Sequence, residues 1–433
     1  MSHTLTTQAG SSAIAATPAS ILDLPAAPAQ PHLNNGTNGQ HTVQNSSDEE
    51  DEDLVFRNLP PFPTEVPTAP LLRLSLVKLL DQDQEEEARL WKACTELGFF
   101  YLDLRPTPSA SEDERKRDSV HASPAGTNGI DGAGLLHDAE HLFELGEKVF
   151  SIPVEEKQKY DMNDQRSYFG YKGLGQGIVD AKGTRDANEF WNVSKDDVLS
   201  VSAPLPAPEV LQRRENRELL GRFCERSHAI VSLILEILER GLEAQEGTLR
   251  NSHRLRAVSG DQVRWVHAPP RERAMDGKEM TLGEHTDFGS VTVLFNRLGG
   301  LQILPPDGGR GAVWQYVKPL KGHAVVNLGD ALVKFTAGVL RSNLHRVVDP
   351  PGEQRGRTRM SLVYFARPED EVVLKKLDVG VSRVVDEKWE RDGGGQEEEV
   401  TAKEWILRRA MGRRAGGDWE GSKGTEGARG ARR

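Results

Sequence analysis

From about Arg254 onward the chain breaks into short β-rich runs. Gln262–His267, Val291–Phe295, Leu301–Leu304, Val313–Val317, Ala324–Leu328, His345–Val348 and Met360–Phe365 alternate with turn signals. Among the separators are Gly299-Gly300, the PPDGG stretch at 305–309, Gly329-Asp330 and the PPG stretch at 350–352. Apolar runs this short, rich in Val and bounded by Gly and Pro, read as buried strands. Seven of them at close spacing bury their faces by closing into a sandwich or jelly roll.

The preceding sequence is helical in texture. Gln82–Leu97 opens with three acids, Leu135–Phe150 has a helical period, and Glu209–Leu242 carries Ile230, Leu233, Ile234, Ile237 and Leu238 on one stripe. Gly98–Asp103 reads as a buried strand between helices. Residues 1–62, polar and ending near the acid run 48–53, are expected to be a disordered leader, since so little apolar surface cannot offset ordering entropy. The expected layout is a helical region over 63–255 with a surface insertion at 105–134, then a jelly-roll domain over 256–370. A C-terminal extension at 371–412, with one short helix at Ala402–Met411, and a disordered tail at 413–433 complete it.

Charge narrows the partners. Fifty-five basic against 66 acidic residues leave a net charge of −11, which disfavours nucleic acid and anionic membranes. No apolar run approaches the ~18 residues of a membrane helix. The two cysteines, Cys94 and Cys224, have neither disulfide-framework nor CxxC metal spacing, and the N-terminus lacks the pattern of a secretory signal. A reducing, cytoplasmic setting is expected.

The chemistry concentrates in the β-rich half. His285 and Asp287 stand two apart, so in an extended segment both project to one face and can bind one metal. His345 follows 58 residues after Asp287, at the start of another strand-like run. Two imidazoles and a carboxylate on one face of an octahedral ion leave three positions open, the arrangement of non-haem Fe(II) oxygenases. His323, beside a comparable strand, competes for the third place. Arg359 and Ser361 share a face of the last strand, and an arginine fork with a hydroxyl suits one carboxylate of a dicarboxylic acid.

Five segments carry a resemblance: GEHTDFGS at 283–290, GLQI at 300–303, VNLGD at 326–330, SNLHR at 342–346 and RMSLVYF at 359–365. In this order they resemble the isopenicillin N synthase-like family of Fe(II)/2-oxoglutarate dioxygenases. GFFY at 98–101, FSIPVEEK at 150–157 and SYFGY at 167–171 resemble its N-terminal region, and DANEFWNVS at 186–194 is similar to fungal members. The resemblance spans about residues 65–412. It implies a mixed α and β fold, a double-stranded β-helix (jelly roll) core with flanking helices. It implies His285, Asp287 and His345 as iron ligands, Arg359 and Ser361 as the 2-oxoglutarate clamp, and no catalytic side chain beyond the metal centre. The cofactors implied are Fe(II) and 2-oxoglutarate; the reactants are dioxygen and a small molecule, hydroxylated, desaturated or cyclised, as in specialised metabolism.

One position departs from the family pattern. The family usually places an aromatic residue, often Tyr, before the Pro of the strand upstream of HxD, where it helps bind the co-substrate. This chain has Ala268 there, with His267 as a possible substitute. That departure leaves room for an iron oxidase that does not use 2-oxoglutarate, or a non-catalytic binding protein on the same fold. Substrate, oligomeric state and the purpose of the insertion and tails are not legible.

Overall fold

A computed structural model describes residues 54–106, 129–271, 280–305, 313–395 and 398–425. Most of the expected leader (1–53) and insertion (107–128), and the end of the expected tail (426–433), lie outside the described residues. The strands are β1 (Leu72–Ser75), β2 (Phe99–Asp103), β3 (Gly170–Lys172), β4 (Glu189–Ser194), β5 (Gln262–Ala268), β6 (Met280–His285), β7 (Val291–Asn296), β8 (Leu301–Ile303), β9 (Gln315–Tyr316), β10 (His323–Leu328), β11 (His345–Val348) and β12 (Arg359–Ala366). They form an eight-stranded sheet, β1-β2-β10-β7-β12-β5-β4-β3, and a four-stranded sheet, β6-β11-β8-β9. Only β1 and β2 pair in parallel within these ladders.

Both faces of the large sheet are buried, which explains why its strands read as continuous apolar runs. On β2, β7, β10 and β12, Phe100, Leu102, Val293, Phe295, Val326 and Leu362 face the helices. Their neighbours Phe99, Tyr101, Leu294, Val325 and Val363 face the small sheet. This is the two-residue alternation of a strand between two layers. Each such buried side chain contributes roughly 1.5–3 kcal/mol.

The helical layer consists chiefly of α1 (Gln84–Glu96), α2 (Gly132–Phe150) and α3 (Arg214–Gly241), with α2 and α3 packed on β5 and β12. Sequence chemistry sets their ends. The Asp83 side chain caps α1 by accepting from Glu86 N at 2.9 Å, and Asp131 caps α2 from Gly134 N at 2.7 Å, each contributing about 1 kcal/mol. Trp265 of β5 is fully buried against α2, its indole N–H donating to Leu142 O at 2.8 Å. Three shorter helices lie in the C-terminal part of the chain: α4 (Asp330–Phe335) after β10, then α5 (Arg383–Arg391) and α6 (Ala402–Gly412) after β12. No described helix is long and apolar enough to cross a membrane.

Three sequence expectations need correction. The division at 255 does not cut the sheet, because β1 to β4 from the first region complete it by pairing with β10 and β5. Residues 54–62 pack rather than trail: Leu54 is buried, and Pro60 O accepts from Gln354 Nε2 at 2.9 Å. The packed chain also runs past 412, for Arg414 and Ser422 are buried and Thr425 bonds to Asp330. Apolar content failed to signal these segments because polar and backbone groups hold them.

Candidate metal centre

The two sheets deliver different parts of the site. On the small sheet, antiparallel pairing of β6 and β11 sets His285 directly opposite His345. Cross-strand partners lie close enough for their side chains to meet, and the two imidazole centroids are 4.2 Å apart. Asp287 follows β6 by two residues. Its Oδ1 lies 3.9 Å from His285 Nε2 and 3.7 Å from His345 Nε2. These distances exceed hydrogen bonds; one ligand atom from each residue lies within 4.8 Å of the others, around a point where a cation can sit.

The surroundings fix each ligand's orientation. His285 Nδ1 is 2.8 Å from Gly283 O, and His345 Nδ1 is 3.1 Å from Asn343 O. A carbonyl can only accept, so each Nδ1 carries the proton and each Nε2 lone pair is free for a metal. On the large sheet, Asn327 of β10 and Thr292 of β7 are register partners. Both donate to Asp287 Oδ2, each at 2.6 Å, which leaves Oδ1 as the ligand atom.

The charge state agrees. Burial, with the neighbouring His345 imidazole, holds the His285 pKa well below the usual histidine range, so the ring is neutral and able to ligate. Burial would raise the Asp287 carboxyl, but His345, His285 and the two hydrogen bonds outweigh it and keep the group ionised. Two imidazoles with Nε2 turned inward and one carboxylate, already oriented, fit a ferrous ion.

Arg359 and Ser361 line the same cavity of about 560 Å³ as the three ligands. Arg359 is 2% exposed, its Nε donating to Gly299 O at 2.9 Å and its Nη1 lying 3.4 Å from Ser361 Oγ. Burial pushes its pKa down to about 10. No described carboxylate pairs with it. A buried guanidinium without an anion is costly, so the cavity suits an anionic ligand at this end.

Other residues near the cluster separate clearly. His323 is no part of the cluster; it sits beside Asp103 at 3.4 Å. Tyr171, Trp191 and Phe335 are core, whereas Tyr168 and Phe288 line the outer cavity. Ala268 is buried opposite Arg359 on the β5–β12 ladder. His267 does not replace the missing aromatic, for it points to the other face of β5, stacks on Phe150 at 4.7 Å and bonds Glu189 at 2.9 Å. Val266 and Arg264 share the face of Ala268, and Arg264 lines both cavities beside His285. Sequence reasoning missed it, although its place four residues before Ala268 on a strand was signal enough.

Asp330, expected to be part of a structural turn, ties the ligand-bearing segments together. It accepts from Thr286, between two of the ligands, at 2.8 Å and from Ser342 at 2.6 Å. Arg409 of α6 pairs with it and also reaches Thr286 Oγ1 at 3.2 Å.

Comparison with known proteins agrees with this geometry. Residues 250–368 match the 2OG-Fe(II) oxygenase superfamily, and residues 129–211 match the N-terminal region named for non-haem dioxygenase in morphine synthesis. A 2-oxoglutarate-dependent dioxygenase of Aspergillus fumigatus is 32% identical over 335 residues, covering 73% of this chain and 80% of the relative. The 2-oxoglutarate-dependent dioxygenase gloE of Glarea lozoyensis is 31% identical, covering 71% of this chain and 82% of its own length. In fold, the chain is similar to full-length Neurospora crassa T7H in complex with alpha-KG, with a TM-score of 0.59 at 20% identity, over 78% of this chain and 95% of that one.

Proposed function

This chain belongs to the 2OG-Fe(II) oxygenase superfamily, and from that premise we propose that His285, Asp287 and His345 hold its Fe(II) while Arg359 and Ser361 hold 2-oxoglutarate. The enzyme is a 2-oxoglutarate-dependent dioxygenase whose reactants are 2-oxoglutarate, dioxygen and a small molecule. The carrying observation is the convergence in one cavity of three oriented ligand atoms and a buried arginine with no described carboxylate partner.

Iron held there would supply the oxidative chemistry, in which dioxygen is consumed as 2-oxoglutarate goes to succinate and carbon dioxide and the substrate is oxidised by two electrons. The chain supplies orientation. Gly283 O and Asn343 O hold both imidazoles with Nε2 inward, and Thr292 and Asn327 hold Asp287 Oδ1 inward. Arg359 and Ser361 grip the co-substrate's far carboxylate, which directs its keto acid end toward the ligand cluster in the same cavity. Leu294, Leu301, Val347 and Val363 line the same space and limit water. The outcome for the substrate is hydroxylation, desaturation or ring closure, and the fungal relatives support a role in specialised metabolism.

Anaerobic calorimetry of 2-oxoglutarate binding to the Fe(II)-loaded protein tests the assignment. One site per iron is expected, lost in Arg359→Leu with iron retained. Unchanged binding in that variant would remove Arg359 from the clamp.

A further inference from the structure

The outer cavity, about 670 Å³ and opening past His285, is cationic. Lys172, Arg264, Arg413 and Arg414 line it against a single carboxylate, Asp186. That carboxylate is already engaged by the Lys172 ammonium and by Gly177 N at 3.2 Å. Arg414 also lies 3.7 Å from Asp161, behind the lining. The lining itself still carries more positive than negative groups in a partly enclosed space, where each charge acts through a lower dielectric than water.

Arg264 is the best placed of these cations. Its Nε donates to the neutral Asn192 Oδ1 at 2.6 Å, and no described carboxylate pairs with it. The guanidinium lies 4.3 Å from the Phe190 ring centroid and 5.0 Å from that of Phe365. Two aromatic faces and one hydrogen bond fix the plane of the fork, which suits bidentate carboxylate recognition. Burial and the nearby Arg367 push its pKa down to about 9, against the opposing effect of the Asp287 carboxylate. It also reaches the inner cavity, so a group held there sits between the outer opening and the ligand cluster.

We propose that the small-molecule substrate carries a carboxylate, and that Arg264 binds it. The inference rests on reading the His285 cluster as the iron and 2-oxoglutarate site. It adds a chemical class and one residue that determines specificity. The anionic end lies on the β5 wall, and the rest of the molecule occupies the space between that wall and His285.

Matched acid and amide probes test it. Phenylacetate, phenylacetamide, hexanoate and hexanamide would be titrated into Fe(II)-loaded protein saturated with 2-oxoglutarate, with binding read by calorimetry. The acids should bind at least about tenfold tighter than their amides. Arg264→Gln should bring the two within about twofold, and Arg264→Lys should keep part of the preference, while 2-oxoglutarate affinity stays within about threefold in both. Failure of the acids to bind better than the amides to the unaltered protein overturns the proposal, as does a preference that survives in Arg264→Gln. A parallel loss of 2-oxoglutarate affinity in the variants would assign Arg264 to the co-substrate instead. Absence of iron-dependent succinate from the unaltered protein is a separate result, and it would remove the underlying reading.

Discussion

Arg409 and Asp330 form an ion pair from which solvent is wholly excluded, each side chain having no accessible surface. The pair joins α6 to the start of α4, where Asp330 also accepts from Thr286, Ser342 and Thr425. Burial opposes the Asp330 charge, but Arg409 and the hydroxyl donors keep it ionised. The C-terminal segment is thereby fastened to both stretches of chain that carry the proposed metal ligands.

Removing one partner leaves the other charged and buried, which typically destabilises by about 3–5 kcal/mol. Arg409→Met should therefore lower stability markedly in urea unfolding, and Arg409→Met combined with Asp330→Asn should recover part of the loss. A single variant as stable as the parent would show that the pair is not needed to hold the segment.

Asp287 presents one oxygen because Asn327 and Thr292 occupy the other. Asn327→Ala and Thr292→Val should each weaken Fe(II) affinity by about 10–100-fold while the protein remains folded. Competition with a chelator of known affinity measures this. Wild-type iron affinity in both would mean that the Asp287 rotamer is set elsewhere.

Arg359 and Ser361 should act on the co-substrate and not on the metal. Arg359→Lys keeps the charge but loses the fork, and Ser361→Ala loses one hydroxyl. The KM for 2-oxoglutarate should rise at least about tenfold in the first and less in the second, with iron content unchanged. Iron loss alongside the KM effect would instead indicate collapse of β12.

Much of this centre was legible before any coordinates. His285, Asp287, His345, Arg359 and Ser361 sit in short local patterns where i, i+2 spacing already places side chains on one face. Apart from β6, the strands from β5 to β12 are legible as short apolar runs, because those of the large sheet are buried on both faces. What escaped was non-local. β6 lacks a continuous apolar run and was not read as a strand, although it carries His285. The role of Asn327 depends on its register with Thr292, and that of Arg409 on a contact with Asp330 across 79 residues. Arg264 gave no motif, only a position.

Acid stability should report on Glu189. Burial raises its pKa, but hydrogen bonds from His267, Lys157 and Tyr171 outweigh this and hold it at about 2, below the ordinary 4.5. On unfolding it regains the ordinary value. Between the two values the unfolded chain binds a proton that the folded one does not. The contribution is thus complete above pH 4.5 and is lost as pH falls toward 2. The stability gap between the parent and Glu189→Gln should be constant above about pH 5 and narrow below it in denaturant titrations. A gap independent of pH would show that the carboxylate is not held this way.

The most direct measurement is succinate release from 2-oxoglutarate by the Fe(II)-loaded protein under oxygen, beside His285→Ala at matched protein concentration and with bound iron determined for both. Succinate should form in the parent only when Fe(II), 2-oxoglutarate and dioxygen are all present, and His285→Ala should fall by at least about 100-fold. Undiminished turnover in His285→Ala with full iron occupancy would contradict the assignment of the metal centre.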